Sequence, residues 1–202
     1  TAEAAMQFET GRMGAPWQAQ WISDPAYSFT EKKVSPLPMM FRKKVTLKGS
    51  VASAKICASA LGIYELEIDG KKAGDRYFAP GFTSYRHEMQ YQVYDVTDLL
   101  TGNEAVLSAV IAGGWAVGSF VFTRGNRFDG DRQAFLAELR ITYEDGSEEI
   151  IGTDETWEVT EDGPYRMADL YDGETYDATI DTEQIAWRKA APEKLKFVPN
   201  LI

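Results

Sequence analysis

Residues 64–73, reading YELEIDGKKA, do most to limit what this chain can fold into. Tyr64, Leu66 and Ile68 alternate with Glu65 and Glu67, the period of a strand with one buried face. Asp69-Gly70 then supplies the positive φ angles of a two-residue hairpin turn, and Lys71-Lys72-Ala73 starts back. Asp145-Gly146 repeats the signal between the apolar run 134–143 and residues 147–152. These patterns call for paired strands, not helices.

Further short strands are predicted over 39–47, 53–60, 89–96, 105–112 and 157–159. The continuous apolar run 105–112, ended by Gly113-Gly114, predicts a strand covered on both faces. The only helix-like piece is a turn near 97–100, with Thr97 or Asp95 as its cap. Strands at this density, broken by Gly, Pro and Asp-Gly, indicate an all-β antiparallel sandwich or jelly roll. At 202 residues the chain suits one large β domain. Residues 1–38, carrying Pro16, Pro25, Pro36 and Pro38, read as an extended lead-in packing on the sandwich. Residues 39–187 read as the sandwich itself, and 188–202 as a C-terminal linker.

Charge and cysteine content narrow the function classes. A formal net charge of −10 argues against nucleic acid, whose binding rests on neutralising phosphates with Lys and Arg, and against a basic membrane-surface patch. No segment is long and apolar enough to span a membrane, and no signal-like leader is present. With the single cysteine, this tilts the expected location toward the cytoplasm. Cys57 lies in an apolar run and is expected to be a buried, inert thiol. His87, the only histidine, removes His-based metal clusters and reads as a surface residue between Arg86 and Glu88.

A series of short motifs then resembles a known family. Trp17-x-x-x-Trp21-Ile22, Phe41-Arg42-Lys43, Ala60-Leu61-Gly62-x-Tyr64-Glu65, Asp69-Gly70-Lys71 and Gly74-Asp75 are similar to the N-terminal β-sandwich module of bacterial α-L-rhamnosidases. So are Pro80-Gly81-Phe82-Thr83-x-Tyr85, Tyr91-x-x-Tyr94-Asp95-Val96-Thr97, Gly113-Gly114-Trp115, Asp154-x-x-Trp157 and the run from Asp169 to Ala178. The resemblance covers 17–187. It implies a galactose-binding-like jelly roll with extended terminal segments. Phe82 stands where the family usually has Trp, and Ala116 where an aromatic commonly follows Gly-Trp.

The resemblance also implies a negative. The family's hydrolytic carboxylates lie in a separate helical domain further along the polypeptide, so this chain is expected to be non-catalytic, with no required cofactor. Hydrolysis needs two carboxyl groups at a fixed separation, and 31 acidic residues by themselves single out no such pair. The expected role is architectural, with carbohydrate recognition as a further candidate. The expected partners are the catalytic domain of the same polypeptide and L-rhamnose-containing glycosides. Sugar-binding candidates are Asp75, Arg76, Trp115, Arg124 and Asn126, joining an aromatic platform to hydrogen-bonding groups. Some modules of this family hold rhamnose through calcium, for which Asp75, Asn126 and Asp129 are the candidate ligands. Against this stands the reading in which Trp115 is core and these charges pair on the surface.

Residues 169–177 are acidic, but do not match a helix-flanked calcium loop and are expected to be structural or docking. If extended, they would put Asp172 and Glu174 on one face. The apolar residues near the ends, Trp17, Trp21, Trp187, Leu195, Phe197 and Val198, are expected to form a contact surface. A free-standing lectin-like protein and an enzyme with an unrecognised site remain rival readings.

Overall fold

The computed structural model describes residues 11–27, 34–120 and 125–202. Its strands are β1 (Ile22–Ser23), β2 (Met39–Thr46), β3 (Val51–Leu61), β4 (Ile63–Ile68), β5 (Lys71–Lys72), β6 (Glu88–Met89), β7 (Gln92–Asp95) and β8 (Glu104–Ala112). They continue as β9 (Ala134–Tyr143), β10 (Glu148–Gly152), β11 (Glu158–Thr160), β12 (Tyr165–Asp169), β13 (Gly173–Tyr176), β14 (Arg188–Lys189), β15 (Ala191–Pro192) and β16 (Asn200–Leu201). One sheet has the order β15-β1-β9-β3-β7, with β10 also on β9; the other runs β14-β11-β2-β8-β4-β5. The two pack as an antiparallel β-sandwich.

The first hairpin signal translates directly; at the second, β10 returns along β9 but only Gly146, at φ +82°, is left-handed. Asp69 and Gly70 have φ of +50° and +72°, closing β4 onto β5 with Glu67 opposite Lys72. Tyr64, Leu66 and Ile68 face the core and alternate with the more exposed Glu65 and Glu67. Between the sheets, Phe135 of one meets Phe41 of the other at 5.8 Å and Tyr64 at 6.0 Å. Trp157 closes the group at 5.9 Å from Phe135, its indole N–H donating to the Gly152 carbonyl at 3.0 Å. Burying such rings supplies much of the free energy that offsets chain ordering.

One strand differs from expectation in which faces it covers. Strand β8 buries Ala105, Leu107, Ala109 and Ile111 but leaves Val106, Ser108 and Val110 half-open on the outer side. Its apolar outward residues are small, so they tolerate water there. Strand β3 is the doubly covered one, because the segment entering β1 crosses its outer face. There Arg12 reaches Glu138 on the neighbouring β9 at 2.5 Å, and the Gln18 amide donates to the same carboxylate at 2.6 Å. Cys57, opposite Glu138, is buried by this cover, and burial pushes its thiol pKa up.

The expected turn is a 3-10 segment, Thr97–Leu99, but it is not the only helical piece: Gly114–Val117 forms one α-helical turn. Residues 169–177 are not extended throughout. They turn at 170–172 between the paired strands β12 and β13, so Asp172 and Glu174 do not share a strand face. The segments on either side of residues 39–187 contribute strands: β1 lies on β9, β15 on β1, β14 on β11, and β16 runs parallel to β6. Trp17 and Trp21 line one cavity with Leu195, Phe197 and Val198. Trp187 is elsewhere, stacked under Arg42 at 4.1 Å on the outer face of the second sheet. The apolar ends therefore make two separate surfaces, not one. No helix among the described residues is long and apolar enough to cross a membrane.

Candidate functional site

Two connections bring aromatic rings together: residues 74–87 after β5, and residues 113–133 between β8 and β9. Gly114 lets the second turn sharply away from its strand. It has φ +53°, and a Cβ there would stand 2.9 Å from the Ile63 backbone nitrogen. The helical turn then sets the Trp115 ring 6.2 Å from Phe78 and 6.0 Å from Phe82. Phe82 stacks on Phe120 at 5.6 Å, and Phe120 meets Phe128 edge-on at 6.2 Å. Phe78, Phe82 and Phe128 are 57, 58 and 51 % exposed, so the cluster presents rings to solvent.

The polar side chains around these rings hold the loops together. Arg86 donates to Asp129 Oδ1 at 3.2 Å and to the Phe128 carbonyl at 3.3 Å, joining the two connections. Asn126 donates to the Val34 carbonyl at 2.8 Å and accepts from Arg127 Nη1 at 3.0 Å. Asp169, on β12, accepts from the Ser119 amide at 3.0 Å and from the Ser35 hydroxyl. Its other oxygen accepts from the Tyr171 amide at 2.8 Å and closes the β12–β13 turn. Burial opposes the Asp169 charge, but the Ser35 hydroxyl and the Tyr171 and Ser119 amides outweigh it, holding the carboxyl below its usual range.

The structure thus brings Trp115, Asn126 and Asp129 to the ring-bearing loops. Asp75 and Arg76 are exposed and line a shallow polar depression of about 490 Å³ along β7, with Gln90, Gln92 and Asp95. Arg124 lies outside the described residues. Trp115 is half-buried, packing on an inner cluster that includes Tyr85 and Met89. His87 is exposed, and its carbonyl accepts from the Asn200 amide at 2.8 Å. As arranged, Asn126 Oδ1 and Asp129 Oδ1 each accept from an arginine, so a calcium ion there would compete with two guanidinium groups. No group of three or more His, Cys, Asp or Glu able to hold a metal occurs among the described residues. Sequence reasoning missed Phe78, Phe120 and Phe128, although aromatics in Gly-rich connections were a visible signal.

A family described as the α-L-rhamnosidase N-terminal domain matches residues 49–200. The chain belongs to this family. It is 32% identical over 179 residues to an α-L-rhamnosidase of Formosa agariphila, covering 86% of this chain and 19% of that protein. The α-L-rhamnosidase structure from Aspergillus terreus superposes with a TM-score of 0.79 at 29% identity, over 88% of this chain and 21% of that one. The Streptomyces avermitilis α-L-rhamnosidase, solved with L-rhamnose, gives 0.75 at 34% identity, over 81% and 16%. The chain thus spans about a fifth of the length of the relatives it matches. It corresponds to the non-catalytic N-terminal domain of this family.

Proposed function

We propose that this domain is the architectural N-terminal module of an α-L-rhamnosidase that releases terminal α-L-rhamnose from glycosides. Its ring cluster seats against the catalytic part of the same polypeptide. The observation that carries this reading is the exposed array Phe78–Trp115–Phe82–Phe120–Phe128, whose neighbouring polar side chains fix the loops to each other. Exposed rings on a rigid base favour burial against another surface. The short share of the relatives' length covered by this chain supports a partner in the same polypeptide.

Hydrogen exchange tests the contact. The amides of residues 77–85 and 115–120 should exchange more slowly in the longer polypeptide than in this chain alone. Equal exchange in both would remove the docking role. Rhamnose recognition at the same loops is a further reading, supported by the ring faces alone. It predicts that L-rhamnose raises the Tm of the domain by mass action, and that Phe82→Ala, which removes an exposed ring face, abolishes the rise.

A further inference from the structure

We infer a second binding site on this domain: a groove across the outer face of the second sheet that takes a neutral oligosaccharide chain. Strands β2, β8 and β4 form its floor. In register across them lie Met40, Val110 and Glu65, then Arg42, Ser108 and Glu67. The β12–β13 hairpin and the segment carrying Trp187 form the walls, enclosing a cavity of about 700 Å³. That volume is in the range of small-molecule sites. An adjoining cavity of about 350 Å³ shares Glu65, Val110 and Tyr165 with it and continues to Tyr77 and Phe78. The two cavities run into each other through these shared residues, which suits a chain more than one sugar ring.

The lining has the chemistry of hydroxyl recognition. Tyr165 and Tyr176 pair edge-on at 5.0 Å on one wall, and Trp187, with one face under Arg42, stands on the other. Rings of this kind pack against the C–H faces of sugars. The Glu67 carboxylate, the Ser108 hydroxyl and both tyrosine hydroxyls have no hydrogen-bond partner among the described residues. This contrasts with the ring-bearing loops, where Asn126, Arg127 and Asp129 are all engaged.

Charge and backbone pairing select the class. Glu65, Glu67, Glu158 and Glu183 line the groove with Arg42 and Lys44. Arg42 pairs with Glu158 at 2.9 Å, Lys44 with Glu104 at 2.7 Å and Lys72 with Glu65 at 2.7 Å. Among the described residues no unpaired cation is therefore left here to favour an anionic chain, while Glu67 and Glu183 oppose it. A peptide strand cannot add here, since β2, β8 and β4 each have two hydrogen-bonded neighbours and expose no free edge on this face. The groove lies apart from Asp75, Asn126 and Asp129, and the inference does not rest on the parent's activity.

Amide chemical-shift titration of the chain tests this. The probes are L-rhamnose, a rhamnosyl-glucose disaccharide, a panel of neutral tetrasaccharides, and an oligogalacturonate of equal length. Expected are shifts at Glu67, Ser108, Val110 and Tyr165, with affinity rising with length for a neutral chain and falling for the charged one. Tyr176→Ala should weaken binding by roughly tenfold. Glu67→Gln, which preserves shape, should weaken it while leaving the spectrum folded. Shifts confined to residues 77–85 and 115–129, no shift with any neutral probe, tighter binding of oligogalacturonate, or unchanged affinity in both variants would overturn the proposal.

Discussion

Asp169 accepts a hydrogen bond from the Ser119 amide across 50 residues, at 3.0 Å, and so ties the β12–β13 hairpin to the connection that carries Trp115 and Phe120. One buried carboxylate therefore couples a wall of the outer groove to the ring-bearing loops. Asp169→Asn removes the charge and turns an acceptor into a donor facing other donors. Destabilisation of about 2 kcal/mol is expected in urea unfolding at pH 7. The Asp169 pKa is depressed in the fold. Its contribution is thus present above the unfolded value near 4 and lost as pH falls through the folded one. The gap between parent and variant should shrink at pH 3, and a gap independent of pH would contradict this.

Glu161 has the opposite character. Burial, then the nearby Asp24, pushes its carboxyl up to about 7, with Asp162 adding to this and Arg188 and Arg132 opposing it. Its Oε1 is buried without a partner. A raised carboxyl costs stability as pH climbs from the unfolded value near 4 through the folded one. Glu161→Gln should therefore stabilise the domain by about 1–3 kcal/mol at pH 8 and by nothing measurable at pH 4. Thermal unfolding at the two pH values measures it.

Arg12 and Glu138 form a buried pair, with side chains 7 and 0 % exposed. Arg12→Ala removes one anchor of the entering segment and leaves Glu138 with the half-exposed Arg140, at 2.8 Å, and the Gln18 amide. A loss of about 3 kcal/mol is expected. The double change Arg12→Met with Glu138→Leu should recover most of it, because no buried charge is then left uncompensated and Arg140, 42 % exposed, can hydrate. Denaturant midpoints of the three proteins decide the matter.

Phe82 and Phe128 are more than half exposed. The double change Phe82→Ser with Phe128→Ser should move the stability of this chain by no more than about 1 kcal/mol. In the longer polypeptide it should restore fast exchange at residues 77–85. A large loss of stability in the chain alone would mark these rings as core.

Much of the sandwich was legible because its signals are local. The alternation at Tyr64, Leu66 and Ile68 states its own period, and Asp69-Gly70 its own dihedrals; at Asp145-Gly146 the hairpin was legible, but only the glycine takes a positive φ. Which face of a strand is covered is not local. Val106 and Val110 read as buried from β8 alone, yet the hairpin in front of them leaves a groove, while β3 is covered by the segment that enters β1. The binding residues were harder for the same reason. Asn126 and Asp129 have the right chemistry for a ligand, but their commitment to Val34, Arg127 and Arg86 depends on how distant loops meet. The free groups of the groove, Glu67 and Ser108, look in sequence like any solvated strand residues.

The most direct test of the account is turnover of an aryl α-L-rhamnoside by the purified chain, beside the longer polypeptide. Release by the longer polypeptide and no release above the uncatalysed rate by this chain is the result predicted for a non-catalytic module. Release by the chain that survives repurification and vanishes on changing one of its carboxylates would contradict it.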